Sequence, residues 1–243
     1  MTPAPDSPIA RTRRRRGRPK DRAVTRDGIA AAALAVARTE GYERLTMAAV
    51  ARLLGVAPSA LYNHISGKEE LFVMLQDAVM VDVSVAELHG AARGEVPVVD
   101  ALRAWARSYR AAFAAHPPLI PVIATLPIAG AERTQAVYEA VCAALTRTSL
   151  PKPAVLPRVI ALESFIYGSA YDVHAPEDIF DVSDVPAGVE SLDAAVRSFH
   201  ASEPLRGDSP NPYADAPFEA GLDLLLADLE DASAASDGAA AAS

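Results

Sequence analysis

Apolar residues recur at three- and four-residue spacing along most of this 243-residue chain. No segment sustains the period-two alternation with β-branched enrichment that a strand requires. The pattern restricts the chain to an all-α fold. Thr25 stands where an N-cap belongs, Ile29, Ala33, Val36 and Ala37 follow on one helical face, and Gly41 supplies a stop. Thr46 caps a short second helix that carries Val50, Leu53 and Leu54 and breaks at Gly55. Pro58 suits the first position of a third helix, which extends to about His64, because its missing N–H would be unpaired there anyway. Ser66-Gly67 interrupts the pattern. Lys68, Glu69 and Glu70 then open a longer fourth helix with Leu71, Met74, Leu75, Val79 and Val83.

Further helices are expected at about 98–115, 131–148, 154–173 and 217–231, the first bearing a stripe of Leu102, Trp105, Tyr109 and Phe113. Between His174 and Pro217 the composition turns to Pro, Asp, Ser and Gly. That stretch reads as a long loop with one possible helix at about 189–200. The chain divides into a disordered basic arm (1–23), a three-helix unit (24–70), a larger helical unit (71–231) and a disordered Ala/Ser-rich tail (232–243).

Charge follows the same division. The formal total is −8, yet residues 1–70 carry 13 basic and 7 acidic side chains, a net of +6, and residues 71–243 carry −14. Such asymmetry points to a polyanion-binding end attached to something else. The hydrophobic content of 51% supports a real core, and the single cysteine, Cys142, excludes a disulfide scaffold and a zinc finger. The longest apolar runs, such as 120–126, are too short to span a bilayer, and no apolar h-region follows the arginine-rich start. A cytoplasmic protein with no membrane contact is expected. His64, His89, His116, His174 and His200 show no metal-ligand spacing, so no metal and no cofactor are expected.

Thr46 to His64 reads as two short helices joined at Leu54-Gly55-Val56, a helix-turn-helix. Leu61 anchors the second helix inward, leaving Pro58, Ser59, Ala60, Tyr62, Asn63 and His64 outward, where they can enter a major groove. A plain helical hairpin would share these features. The surroundings favour DNA: Arg16-Gly17-Arg18-Pro19 is an extended element whose arginines suit an AT-rich minor groove. Lys68 lies at a helix start, where a lysine and backbone N–H groups together hold phosphate. A solubilising or RNA-binding tail accounts for the arm alone.

The run Leu45-Thr46-Met47-Ala48-Ala49-Val50-Ala51, then Leu54-Gly55-Val56, Ala60-Leu61-Tyr62-Asn63-His64-Ile65 and Lys68-Glu69-Glu70-Leu71 resembles the tetracycline-repressor (TetR) family of bacterial transcription regulators. The resemblance is specific over about residues 24–75. It implies that Thr46 and Tyr62 contact phosphates, Lys68 clamps the backbone, and Ser59, Ala60, Asn63 and His64 face bases. Ala57 departs from the Ser or Thr cap of many relatives, and Ala48 gives the second helix no long donor toward a base.

More weakly, Tyr109-Arg110, 124–127, 157–168 with Tyr171-Asp172, and 218–226 are similar to the tetracycline-repressor regulatory domain. That likeness implies a homodimer through the helices at about 154–173 and 217–231. Independently, Leu222, Leu225, Leu226 and Leu229 exceed what docking one terminal helix needs, which a symmetric dimer would explain; a cap on the chain's own core would explain it too. The expected effector pocket is Trp105, Tyr109 and Phe113 with Thr125, Tyr138 and Tyr167 opposite, suited to a hydrophobic small molecule, although such a stripe also builds ordinary core. Val122 stands where the tetracycline repressors use a magnesium-holding histidine, so a magnesium–tetracycline effector is not expected. His116 is expected at a helix C-terminus in cationic form.

The function expected is a DNA-binding regulator, a repressor released from a pseudo-palindromic operator by its effector. The alternatives are a non-specific nucleic-acid-binding protein that uses the arginine arm and an all-helical enzyme. Against the enzyme, the chain has no Gly-rich phosphate loop and no nucleophile elbow.

Overall fold

A computed structural model describes residues 24–176, 178–182, 188–202 and 211–229, and the arginine arm and the Ala/Ser tail lie outside them. Eleven helices and no strand occur among the described residues. They are α1 (Arg26–Glu40), α2 (Met47–Leu54), α3 (Pro58–Leu61), α4 (Lys68–Val79), α5 (Ala86–Arg93), α6 (Val98–Ala114), α7 (Ile120–Ile123), α8 (Glu132–Leu145), α9 (Lys152–Asp172), α10 (Glu190–Ala201) and α11 (Pro212–Leu226).

Two hydrophobic cores form. Ile29, Ala33 and Val36 of α1, Val50 of α2, Leu61 of α3, and Leu71 and Leu75 of α4 close the first, together with Leu45 and Ile65. Val79 and Met80 belong instead to the second, with Leu102, Trp105, Tyr109 and Phe113 of α6, Val141 of α8, Leu162 and Ile166 of α9, and Phe218 and Leu222 of α11. One helix, α4, therefore feeds both cores, and it packs on α1 on one side and on α7 and α8 on the other. Within the second core α5 lies on α6 and α8, α6 on α9, and α9 on α11.

The local capping chemistry is as the residue types demand. Thr25 and Thr46 accept from the N–H groups of Gly28 and Ala49, each at 3.1 Å. Gly55 ends α2 at φ 71°, in the left-handed region that a side chain disfavours.

Four expectations require correction. The third helix ends at Leu61 rather than near His64: the N–H groups of His64 and Ile65 both turn back to the Leu61 carbonyl, and Ile65 is pulled into the first core. The fourth helix does not run through Val83. It passes into a 3-10 turn at Met80–Asp82, and an unforeseen helix, α5, follows. Leu88 and Ala91 are its only large-core contacts, too few to show a period; packing against α6 and α8 makes it a helix, and Gly94 at φ 78° stops it. The last helix starts at Pro212, not Pro217, because Asn211 caps it through Tyr213 N–H at 3.0 Å and Pro212 takes the first position. Finally, His116 is half-buried, and desolvation, aided by nearby Arg38, lowers its pKa, so the neutral ring is favoured over the cation.

Candidate functional site

Around the α2–α3 unit, Thr46, Pro58, Ser59, Tyr62, Asn63 and Lys68 are exposed, and Ala60 and His64 are half-buried. The Thr46 hydroxyl is committed to capping α2, and Ala57 provides α3 with no side-chain cap. Tyr62 is 56% exposed although Leu61 beside it is fully buried, so the turn after α3 presents a ring to solvent from a fixed base. Arg26 of α1 fixes that turn: its Nη1 donates to the His64 carbonyl at 2.6 Å and pairs with Glu70 at 2.6 Å. Glu70 in turn accepts from Ser66 N–H at 2.7 Å and from the Ser66 hydroxyl at 2.9 Å. Glu70 thereby ties the residue before the Gly67 N-cap to the first turn of α4. The Ser66 N–H and the Arg26 guanidinium hold the Glu70 carboxyl down at a pKa of about 2.

Lys68 is the first residue of α4, and its Nζ lies 5.4 Å from the centre of the Phe72 ring. Lys68 thus stands in the first turn of α4, with its ammonium over that ring. Arg16 and Arg18 lie outside the described residues.

In the second core, α6 lines up Trp105, Tyr109 and Phe113, with ring centroids 5.5 and 5.0 Å apart in sequence. Tyr167 of α9 meets Tyr109 and Phe113 edge-on at 5.7 and 5.0 Å. Three hydroxyls converge on one carboxylate: Tyr109 donates to Glu163 Oε1 at 2.6 Å, Tyr167 at 3.0 Å, and Tyr138 of α8 also donates to it. Burial, reinforced by the nearby carboxylate, pushes all three phenols above their usual pKa. Trp105 is 2% exposed, and its Nε1 has no acceptor among the described residues.

The structure thus brings five of the six expected pocket residues together and leaves Thr125 out. Thr125 is exposed after α7, its hydroxyl returned to the Val122 carbonyl at 3.0 Å. Glu163, at the centre, was not anticipated; the only trace of it in sequence is its i, i+4 spacing to Tyr167 on one helix.

A second polar cluster joins the two cores. Asp77 of α4 accepts from Thr134 N–H at 2.9 Å and so caps α8, whose own N-cap, Ala131, offers no side-chain bond. Arg133 reaches Asp77 at 3.6 Å and Asp27 of α1 at 3.8 Å. Asp27, Asp77 and Arg133 line an open cavity of about 450 Å³ between α1, α4 and the start of α8.

At the outer face of α9 and α11 the leucine argument is corrected in part. Leu222, Leu226 and Leu229 are buried in the chain's own core. The large apolar side chains left outside are Leu156, Ile160, Tyr171 and Leu224, the last 80% exposed. Four arginine–carboxylate pairs pin α11 down: Arg103–Asp223, Arg107–Glu219, Arg110–Asp215 and Arg158–Asp228, at 2.5 to 2.7 Å. Among the described residues no His/Cys/Asp/Glu group is placed to hold a metal ion, and no helix is long and apolar enough to cross a membrane.

A compact helix-turn-helix joined through a shared helix to a larger helical core is the architecture of a one-component regulator. Residues 29–75 match the family model of bacterial regulatory proteins, tetR family, and residues 94–232 that of the tetracyclin repressor-like C-terminal domain. The chain belongs to the TetR family of transcriptional regulators. It is 31% identical over 65% of its length to the HTH-type transcriptional repressor DrrR1 of Streptomyces coeruleorubidus, of which the match spans 57%. It is 26% identical to an HTH-type transcriptional regulator of Saccharopolyspora erythraea, over 85% of this chain and 84% of that one. In fold it is similar to ActR of Streptomyces coelicolor, solved with actinorhodin bound, at a TM-score of 0.64 and 22% identity over 84% of this chain and 94% of ActR.

Proposed function

We propose that this chain is a sequence-specific DNA-binding repressor that acts as a homodimer and leaves its operator when a small molecule enters the second core. The observation that carries the reading is the exposure of Ser59, Tyr62 and Asn63 on a turn fixed from beneath by Leu61 and Arg26. Residues 24–70 form the DNA-reading unit and 71–231 the regulatory unit, with α4 the element common to both. Tyr62, Thr46 and Lys68 contact phosphates, while Pro58, Ser59, Ala60, Asn63 and His64 line the base edges. Asn63 in a bidentate pair with adenine would contribute about 1–3 kcal/mol of discrimination. Arg16 and Arg18 of the arm enter the adjacent minor groove.

A dimer through α9 and α11 covers Leu156, Ile160 and Leu224, and presents two α3 turns to successive major grooves about 34–36 Å apart. A ligand that prefers one arrangement of the second core shifts α4, and with it the spacing of the two turns. ActR, similar in fold, is solved in complex with a small molecule, actinorhodin. In this chain, support for a ligand comes from Trp105, Tyr109, Phe113, Tyr138 and Tyr167.

Footprinting of the DNA flanking the chain's own gene, at physiological salt, tests the reading. Protection confined to a short pseudo-palindrome is the expected result. Uniform protection along the duplex would instead establish non-specific binding through the basic arm.

A further inference from the structure

We propose that Glu163 is the anchor for a protonated amine carried on an aromatic or polycyclic ligand, so that the effector of this regulator is an organic cation. The proposal rests on the reading that the second core takes a small molecule, and it names the chemistry that core would select.

The carboxylates along α11 and just past its end are each answered by an arginine: Asp223 by Arg103, Glu219 by Arg107, Asp215 by Arg110 and Asp228 by Arg158. Glu163 sits further in and has no basic side chain within ion-pair distance among the described residues. Its Oε1 is crowded by the hydroxyls of Tyr109, Tyr138 and Tyr167. Its Oε2 accepts no hydrogen bond among the described residues, and the side chain is only half-buried, so that oxygen can be reached. A carboxylate drawn into an apolar interior without a counter-charge is costly, and hydroxyl donors offset only part of that cost. A core built for stability alone would be served as well by an apolar residue.

The walls favour a cation over a neutral guest. Tyr109, Phe113 and Tyr167 meet edge to face with centroids 5.0 to 5.7 Å apart, and Trp105 leans on Tyr109 at 5.5 Å. A ring packed beside a carboxylate adds its own attraction for an ammonium group that approaches over its face. A second, independent observation points to a ligand: the Nε1 of Trp105, 2% exposed, is a buried donor with no acceptor among the described residues. Buried donors are nearly always paired, so this one awaits an oxygen on the guest.

Trp105 is the only tryptophan of the chain, and its emission therefore reports this site directly. The full-length protein is titrated with 1-naphthylmethylamine, cationic at pH 7, and with the neutral isostere 1-naphthylmethanol. Trp105 fluorescence and calorimetry are both followed. The expected result is about tenfold tighter binding of the amine, the size of a partly desolvated ion pair and cation–π contact together. Glu163→Gln keeps an oxygen acceptor for the three phenols and should bring the two affinities together while the alcohol still binds. Glu163→Asp, which retains the charge, should keep the preference for the amine and guards against a folding artefact in the glutamine variant.

Equal binding of both probes to the wild type, or no binding of either, overturns the proposal. A preference for the amine that survives in Glu163→Gln overturns the assignment to Glu163. None of these outcomes bears on the operator footprint, so failure here and failure of the repressor reading are told apart.

Discussion

Replacing Asp77 with alanine removes the acceptor that the Thr134 N–H reaches at 2.9 Å. Thr134 is fully buried, so water reaches the freed amide only through the cavity that Asp77 lines. A buried amide left unpaired costs about 1–3 kcal/mol, the upper part of the range expected for losing a helix N-cap. The Arg133 pair is also lost, but at 3.6 Å and with Arg133 49% exposed it contributes at most about 0.5 kcal/mol. The expected destabilisation is about 2 kcal/mol. It is read from urea unfolding at fixed protomer concentration, with Trp105 emission and far-UV circular dichroism as probes and an unchanged urea dependence as the check that only stability moved. Asp77→Asn keeps the Oδ1 acceptor and loses the charge, so it should cost less than half as much. A loss below about 0.5 kcal/mol in the alanine variant, or an asparagine variant as damaged as the alanine one, would refute the trans-cap between α4 and α8.

Lys68→Ala should weaken binding to every duplex alike and lower the salt slope by about one, whereas Asn63→Ala should change preference at one base position. Equal weakening at all sites by Asn63→Ala would make it a backbone contact. Glu70, held down to a pKa of about 2 from 4.5 chiefly by Ser66 N–H and then Arg26, contributes stability that is present above pH 4.5 and lost as pH falls toward 2. In Glu70→Gln the thermal midpoint should therefore fall less over that window than in the wild type; parallel curves would assign the acid sensitivity elsewhere. Leu224, 80% exposed on α11, is expected at the dimer interface. Leu224→Asp should shift sedimentation from dimer toward monomer at micromolar concentration, and an unchanged sedimentation coefficient would remove α11 from the interface.

The amino-acid order by itself determined the local grammar. Thr25, Thr46, Gly55 and Pro58 each act through hydrogen bonds or backbone angles within a few residues, so helices α1 and α2 and the turn between α2 and α3 were legible, as was the charge division at residue 70. The resemblance around residues 45–71 was readable for the same reason: its residues are contiguous. The start of the last helix is not legible in the same way: the expected bound of about 217 falls inside α11, because Asn211 and Pro212, one and a half turns earlier, make the cap.

Only the tertiary structure decided which side chains meet. Tyr109, Tyr138, Glu163 and Tyr167 come from three helices and share one oxygen, whereas Thr125, grouped with them by its position along the chain, faces solvent. Leu222, Leu226 and Leu229 turned inward and left Leu156, Ile160 and Leu224 outside, although all six are equally apolar. The cause is the same in each case. Periodicity states that a face is apolar, but what that face rests against, and which single polar group is enclosed with it, is settled by packing between segments tens of residues apart.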